Sequence, residues 1–247
     1  MNVEPSAQMR LLDLQALDAR LDQIAHRRRT LPQLATIAEL DTRLAGLRDR
    51  VVAGETEVSD LERGQYKAGL DVDLVRARSA KDQELLDSGR ISSSKELENL
   101  QHEIGSLARR QNELEEVELE IMERLEDARN ALAALTTERD SLTASRDQSV
   151  AERDVAWGSG DRESAEISID RADVLPNIPA ELLALYDKLR ADHNGVGAAR
   201  LFQRRCEGCR MELTPVDIGR LRAAEPDEVL RCEECRRILV RTPESGL

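Results

Sequence analysis

Cysteine is the residue type whose placement in this sequence points to inorganic chemistry. All four cysteines lie in the last 42 residues, as CEGC (Cys206, Cys209) and CEEC (Cys232, Cys235), with 22 residues between the pairs. A redox couple, a shared metal site and ordinary buried thiols are the competing readings. A thioredoxin-like couple needs a βαβ context, and none precedes Cys206. Two C-x-x-C turns can each supply one edge of a tetrahedron, and zinc takes four thiolates at about 2.3 Å. The spacing therefore assigns Cys206, Cys209, Cys232 and Cys235 as ligands of a structural Zn2+, with iron as the competing ion. A closed site of four thiolates has no open coordination position and cannot activate water.

Nothing else in the chain suggests catalysis. The sequence contains no phosphate-cradling glycine loop, no H-E-x-x-H and no G-x-S-x-G. His26, His102 and His193 are scattered, and the abundant carboxylates have no local environment that singles out an acid/base pair. The sequence predicts a protein that is not an enzyme and has no small-molecule substrate.

Charge is distributed unevenly. The net charge is −13, yet the residues from Pro176 onward hold 12 basic and 12 acidic side chains, so the whole acidic excess precedes them. Arg200, Arg204, Arg205 and Arg210 flank the first cysteine pair, and Arg231, Arg236, Arg237 and Arg241 flank the second. A metal that joins the pairs would gather these eight arginines into a candidate partner-binding or phosphate-binding patch. The competing reading is that they offset the charge of the metal centre and pair with Glu207, Glu212, Glu233 and Glu234. Aromatic residues are only 2% of the chain, which argues against stacking on single-stranded bases.

These residues need elements to position them. Apolar side chains recur at spacings of three and four from about residue 11 to 142, as in Leu40, Leu44, Leu47, Val51 and in Leu97, Leu100, Ile104, Leu107. That is coiled-coil spacing. Between the series, SGRISSSKELENL supplies Gly89 as a helix stop and Ser93 with Glu96 as a helix start, so the helices must run antiparallel. The expected fold is mainly α: a long antiparallel coiled-coil hairpin over residues 1–175, turning near 87–94, with a small zinc-ribbon head and a preceding helix over 176–247. Thr30-Leu31-Pro32 predicts a break near 30–32, and Gly158 with Gly160 predicts another near 157–160. Each cysteine pair leads into a strand-like segment, RMELTP or RRILVRTP. Leu183, Tyr186, Leu189 and Phe202 are expected to form the core between ribbon and helix.

No run of apolar residues reaches the roughly 20 needed to cross a bilayer. The N-terminal stretch lacks the basic and apolar regions of a signal peptide. The expectation is a cytoplasmic protein with no membrane partner, in a compartment where thiols stay reduced.

The hairpin, ELENLQHEI after the turn, AELLALYDKLR before the head, and the segments CEGCRMEL and CEECRRILV together resemble the bacterial C4-type zinc-ribbon coiled-coil proteins. The resemblance spans essentially the whole chain. It implies zinc ligation by the same four cysteines, no enzymatic activity, and an adaptor role; members of that family are implicated in binding an alternative sigma factor, secretion components or transcripts. The segment Trp157–Gly160 and Val240, where an aromatic is frequent, depart from the family pattern. The leading expectation is a non-catalytic zinc-binding adaptor or scaffold whose head binds protein or nucleic acid. The alternative is an RNA- or DNA-binding regulator acting through the Arg-rich head. Insertion of the acidic hairpin tip into a polymerase channel is a third reading, and the choice between monomer and dimer stays open.

Overall fold

The computed structural model describes all of residues 1–247. Three long helices come first: α1 (Pro5–Arg29), α2 (Pro32–Asp87) and α3 (Ser94–Val174), followed by the shorter α4 (Ala180–Asp192) and α5 (Pro215–Ala223). Helix α1 stops at Thr30, whose N–H and hydroxyl both donate to the carbonyl of His26, and Pro32 restricts the residue before it. At the end of α2, Gly89 adopts φ +66°, a left-handed conformation that glycine takes without a Cβ clash. Helix α3 runs unbroken through Gly158 and Gly160, where the sequence predicted a break. The helix persists because Trp157 is stacked between the guanidinium groups of Arg28 and Arg153, at 4.8 and 4.7 Å. Gly160 also lets Ile24 approach, since a Cβ there would lie 3.3 Å from its Cγ2.

The chain forms two compact units, residues 35–150 and residues 1–34 with 151–247. Helix α1 and the last part of α3 share a unit with the ribbon. Within residues 35–150, Leu40, Leu47 and Val51 of α2 pack with Leu142 of α3. Asp41–Arg146, Glu62–Arg129 and Arg76–Glu115 join the two helices at 3.1, 2.7 and 2.7 Å. These pairs are exposed, so each adds little stability and they chiefly select register.

The other unit is organised by a four-stranded sheet in the order β2-β1-β4-β3. The strands are β1 (Ala198–Phe202), β2 (Arg205–Cys206), β3 (Leu230–Arg231) and β4 (Ile238–Val240). Strand β1 runs parallel to β4, with Ala198 opposite Ile238, and the outer pairs are antiparallel. The sequence reading missed β1, although a short, mostly apolar run preceded by Gly195 and Gly197 is a strand signal. RMELTP contributes only a single bridge, between Glu212 and Arg205. Successive strand residues point to opposite faces. Ala198, Ile238 and Val240 face Leu11 and Leu14 of α1 and Leu182 and Tyr186 of α4, whereas Ala199, Leu201 and Leu239 face the cysteines. Tyr186 and Leu189 are buried as expected, but Phe202 lies beneath the Arg200 guanidinium at 4.8 Å instead of in that core.

Helix α1 is joined to this sheet by polar contacts as well as apolar ones. The Gln15 carbonyl oxygen accepts from the Gly197 N–H at 2.8 Å, and its amide donates to Gly195 O at 2.9 Å. Gly197 is required there, since a Cβ would stand 2.5 Å from the Tyr186 carbonyl oxygen. Before the helix, Val3 N–H donates to Asp227 O and Val229 N–H to Met1 O, at 2.7 and 3.0 Å.

One buried charge ties the helices of this unit together. Asp18 is 1% exposed and accepts from the Tyr186 hydroxyl at 2.7 Å and from Arg171 Nε at 2.8 Å. Burial, and then the hydrogen bond to this carboxylate, push the Tyr186 hydroxyl well above its ordinary pKa, so it remains a proton donor. Arg190 stands beside the same carboxylate and donates to Asp22 at 2.8 Å. Removing one partner from a buried ionic cluster strands the others without solvation. Asp18→Ala should therefore destabilise this unit by about 3 kcal/mol in urea unfolding of the zinc-loaded protein, whereas loss of the exposed Asp13 carboxylate in Asp13→Ala should cost under about 1 kcal/mol.

Candidate metal centre

The two cysteine turns have the same local construction. Cys206 O accepts from Arg210 N–H at 2.7 Å, and Cys206 N–H donates to Met211 O at 3.0 Å. Cys232 O accepts from Arg236 N–H at 2.8 Å, and Cys232 N–H donates to Arg237 O at 3.0 Å. In each turn the arginine that follows the second cysteine is left-handed, Arg210 and Arg236 both at φ +62°. That conformation costs a non-glycine residue on the order of 1–2 kcal/mol.

The turns bring all four sulfurs together. The Sγ atoms lie within 4.8 Å of one another, with Cys206–Cys235 and Cys209–Cys232 each at 3.9 Å. Four thiolates about 2.3 Å from one ion in a tetrahedron stand about 3.8 Å apart, so this cage fits a zinc-sized ion. Gly208 keeps it compact, since a Cβ there would lie 2.9 Å from both Ala199 Cβ and Arg237 Cδ. Leu201, Leu213, Ile218, Leu221, Leu230 and Leu239 pack around Cys206 and Cys232, both of which are buried. Helix α5 supplies Ile218 and Leu221, and Thr214 with Asp217 caps its start.

This apolar shell opposes bare thiolates. Burial pushes the Cys206 thiol up, and burial likewise raises Cys232 to about 11. Cys235 is also resisted by burial, yet the backbone N–H and side chain of Arg237 together hold it below its ordinary value. A divalent cation must displace the protons from these thiols to bind.

Six of the eight head arginines are held by carbonyls or carboxylates. Arg237 donates to Val196 O at 2.9 Å and to His193 O at 3.3 Å. Arg241 donates to Ala224 O at 2.9 Å and to the carbonyls of Glu225 and Glu228. Arg200 is held by Glu207 and Glu244, Arg236 by Glu233, Arg231 by the carbonyl of Arg236 and Arg204 by that of Gly246. Arg205 and Arg210 are exposed and make no ion pair.

A family model described as the CT398-like coiled coil hairpin domain matches residues 14–194, and one described as a C4-type zinc ribbon domain matches residues 205–239. The chain belongs to the CT398-like coiled-coil hairpin family. A Mycobacterium tuberculosis protein is 38% identical over 237 residues, 95% of each chain. A solved Mycobacterium smegmatis structure is 34% identical, with a TM-score of 0.83 over 98% of this chain and 100% of that one. The structure of CT398 from Chlamydia trachomatis shares the fold, at 19% identity and a TM-score of 0.67, over 96% and 98% of the two chains. In this CT398-like protein, the C4-type ribbon and its four clustered cysteines mark a structural zinc site.

Two predictions follow from the cage. Cys206→Ser and Cys232→Ser should each abolish stoichiometric zinc in elemental analysis, whereas Arg236→Gly, which relieves a left-handed arginine, should retain it with an unchanged or slightly raised melting temperature. Because zinc replaces protons on thiols that burial raises, its affinity should weaken steadily as pH falls from 8 to about 5 in competition with a chromophoric chelator.

Proposed function

We propose that this protein is a non-catalytic, zinc-dependent adaptor whose ribbon unit binds a protein partner. The support that carries this reading is the commitment of the arginines around the cysteines. Arg237 and Arg241 fasten backbone carbonyls, and Arg200 and Arg236 face carboxylates, so of the eight only Arg205 and Arg210 make no side-chain bond. A phosphate-binding surface depends on several unengaged cations, because each neutralised phosphate contributes to affinity. The site of four thiolates has no coordination position for a substrate, consistent with a structural ion. No helix is long and apolar enough to cross a membrane. The setting proposed is the reducing cytoplasm, where free thiols persist to bind metal.

The second reading, RNA or DNA binding through the head, rests on Arg205 and Arg210 beside the exposed Arg204. Gel-shift titration of the full-length, zinc-loaded chain against single- and double-stranded RNA and DNA separates the two. The adaptor reading expects no retarded band from low to physiological salt. A shift that weakens steeply with salt and vanishes in the Arg205→Ala/Arg210→Ala double variant would overturn it in favour of nucleic acid. In affinity capture from the native host, Cys206→Ser bait should lose the proteins that intact bait retains, and an unchanged set would remove the ribbon from the adaptor role.

A further inference from the structure

We propose that a groove between α1 and the first cysteine turn receives an amphipathic helix of a partner protein, one whose apolar stripe is flanked by lysine or arginine. This deepens the adaptor reading and rests on it. Helix α1 carries two apolar stripes. Ala7, Leu11 and Leu14 face the core, while Met9, Leu12, Ala16 and Ala19 recur at spacings of three, four and three along an adjacent face, where Leu12 also packs against that core. That second stripe lines a groove of about 590 Å3, and the opposite wall is Val196, Gly208 and Pro243 of the ribbon side. Met9 is 40% exposed and Ala16 is exposed, whereas Leu12 and Ala19 are half-buried, so the stripe is partly uncovered within the chain.

Spacing and charge select the occupant. A stripe at three and four residues accepts a ridge of side chains from another helix, and small residues such as Ala16 and Ala19 allow its axis to come within about 8–10 Å. The rim carries the carboxylates of Asp13, Glu207 and Glu244; Arg200 engages the two glutamates, and Arg10 pairs with Asp13 at 3.0 Å. Arg200 is already occupied: both of its edges donate, at 3.0 and 3.2 Å to Glu207 and at 2.9 Å to Glu244. The rim thus holds three carboxylates against two arginines, an excess of one negative charge. Cationic flanks complement it and are steered toward it. A second copy of this chain would set the same carboxylates against each other, and a nucleic acid would be repelled. Because Glu207 and Gly208 lie inside the first cysteine turn, the groove exists only when the zinc ribbon is folded.

The four methionines provide internal reporters: Met1, Met9, Met122 and Met211 are all exposed, and only Met9 lines the groove. The probe is a designed 21-residue helix with leucine at heptad a and d positions and lysine beside them, compared with the same helix carrying glutamate in place of lysine. Both are titrated into full-length, zinc-loaded protein by fluorescence anisotropy, and peroxide oxidation of each methionine is followed by mass spectrometry. The lysine peptide should bind and slow oxidation of Met9 several-fold, leaving Met122 and Met211 unchanged. Ala16→Lys, at an exposed position, should weaken binding by about tenfold or more, and the glutamate peptide should not bind. Equal binding of both peptides, protection of Met122 instead of Met9, or undiminished affinity in Ala16→Lys would overturn the proposal. So would concentration-dependent protection of Met9 without peptide, which would assign the groove to a second copy of the chain. Should the groove fail while Cys206→Ser still strips partners from the bait, the adaptor reading stands without it.

Discussion

Four sulfurs within 4.8 Å of one another are the constraint on which the ribbon unit depends. Strand β1 leads into the first cysteine turn and β4 leaves the second, so an ion that joins the turns fixes the distance between these strands. Their parallel pairing then fixes the sheet, and the two faces of the sheet serve different cores. One face covers the cysteines, and the other receives α1 and α4. The apolar residues around the cysteines are too few to sustain a core of ordinary size, and metal binding supplies folding free energy that such small modules lack. The metal therefore acts at a distance: it orders the sheet, and the sheet orders the first helix of the chain.

Polar contacts do the complementary work of specifying how α1 lies on that sheet. An apolar interface alone tolerates sliding by a turn, but Asp18 reaches Tyr186 and Arg171 from one position only, and Gln15 meets the exposed backbone groups beside β1. Buried polar groups of this kind cost desolvation and yield a single arrangement when all are satisfied. The arginines of the head follow the same logic. Four of the eight, Arg204, Arg231, Arg237 and Arg241, act as internal fasteners to backbone carbonyls in segments that have little regular structure.

Much of this was legible in the sequence because it is local. Two identical C-x-x-C spacings declare a tetrahedral site, heptad spacing declares the paired helices, and Gly89 between them declares the reversal. What the sequence hid is non-local. Nothing in residues 1–34 announces that Met1 and Val3 bridge to Asp227 and Val229, or that α1 belongs with the ribbon. Strand β1 was obscured because its parallel partner β4 lies about 40 residues later, across both cysteine turns, and its local partner β2 is only two residues long. Gly158 and Gly160 misled in the opposite direction: propensity marks them as a weak point, whereas the stacked Trp157 and the close approach of Ile24 hold the helix through them. Tertiary packing outweighs propensity at such a position.

X-ray absorption at the zinc edge of the purified, full-length protein tests the central claim most directly. The account expects one zinc per chain with a single shell of four sulfur neighbours at about 2.3 Å and no light-atom neighbour. A shell containing nitrogen or oxygen, or protein that is folded with no bound metal at all, would contradict it.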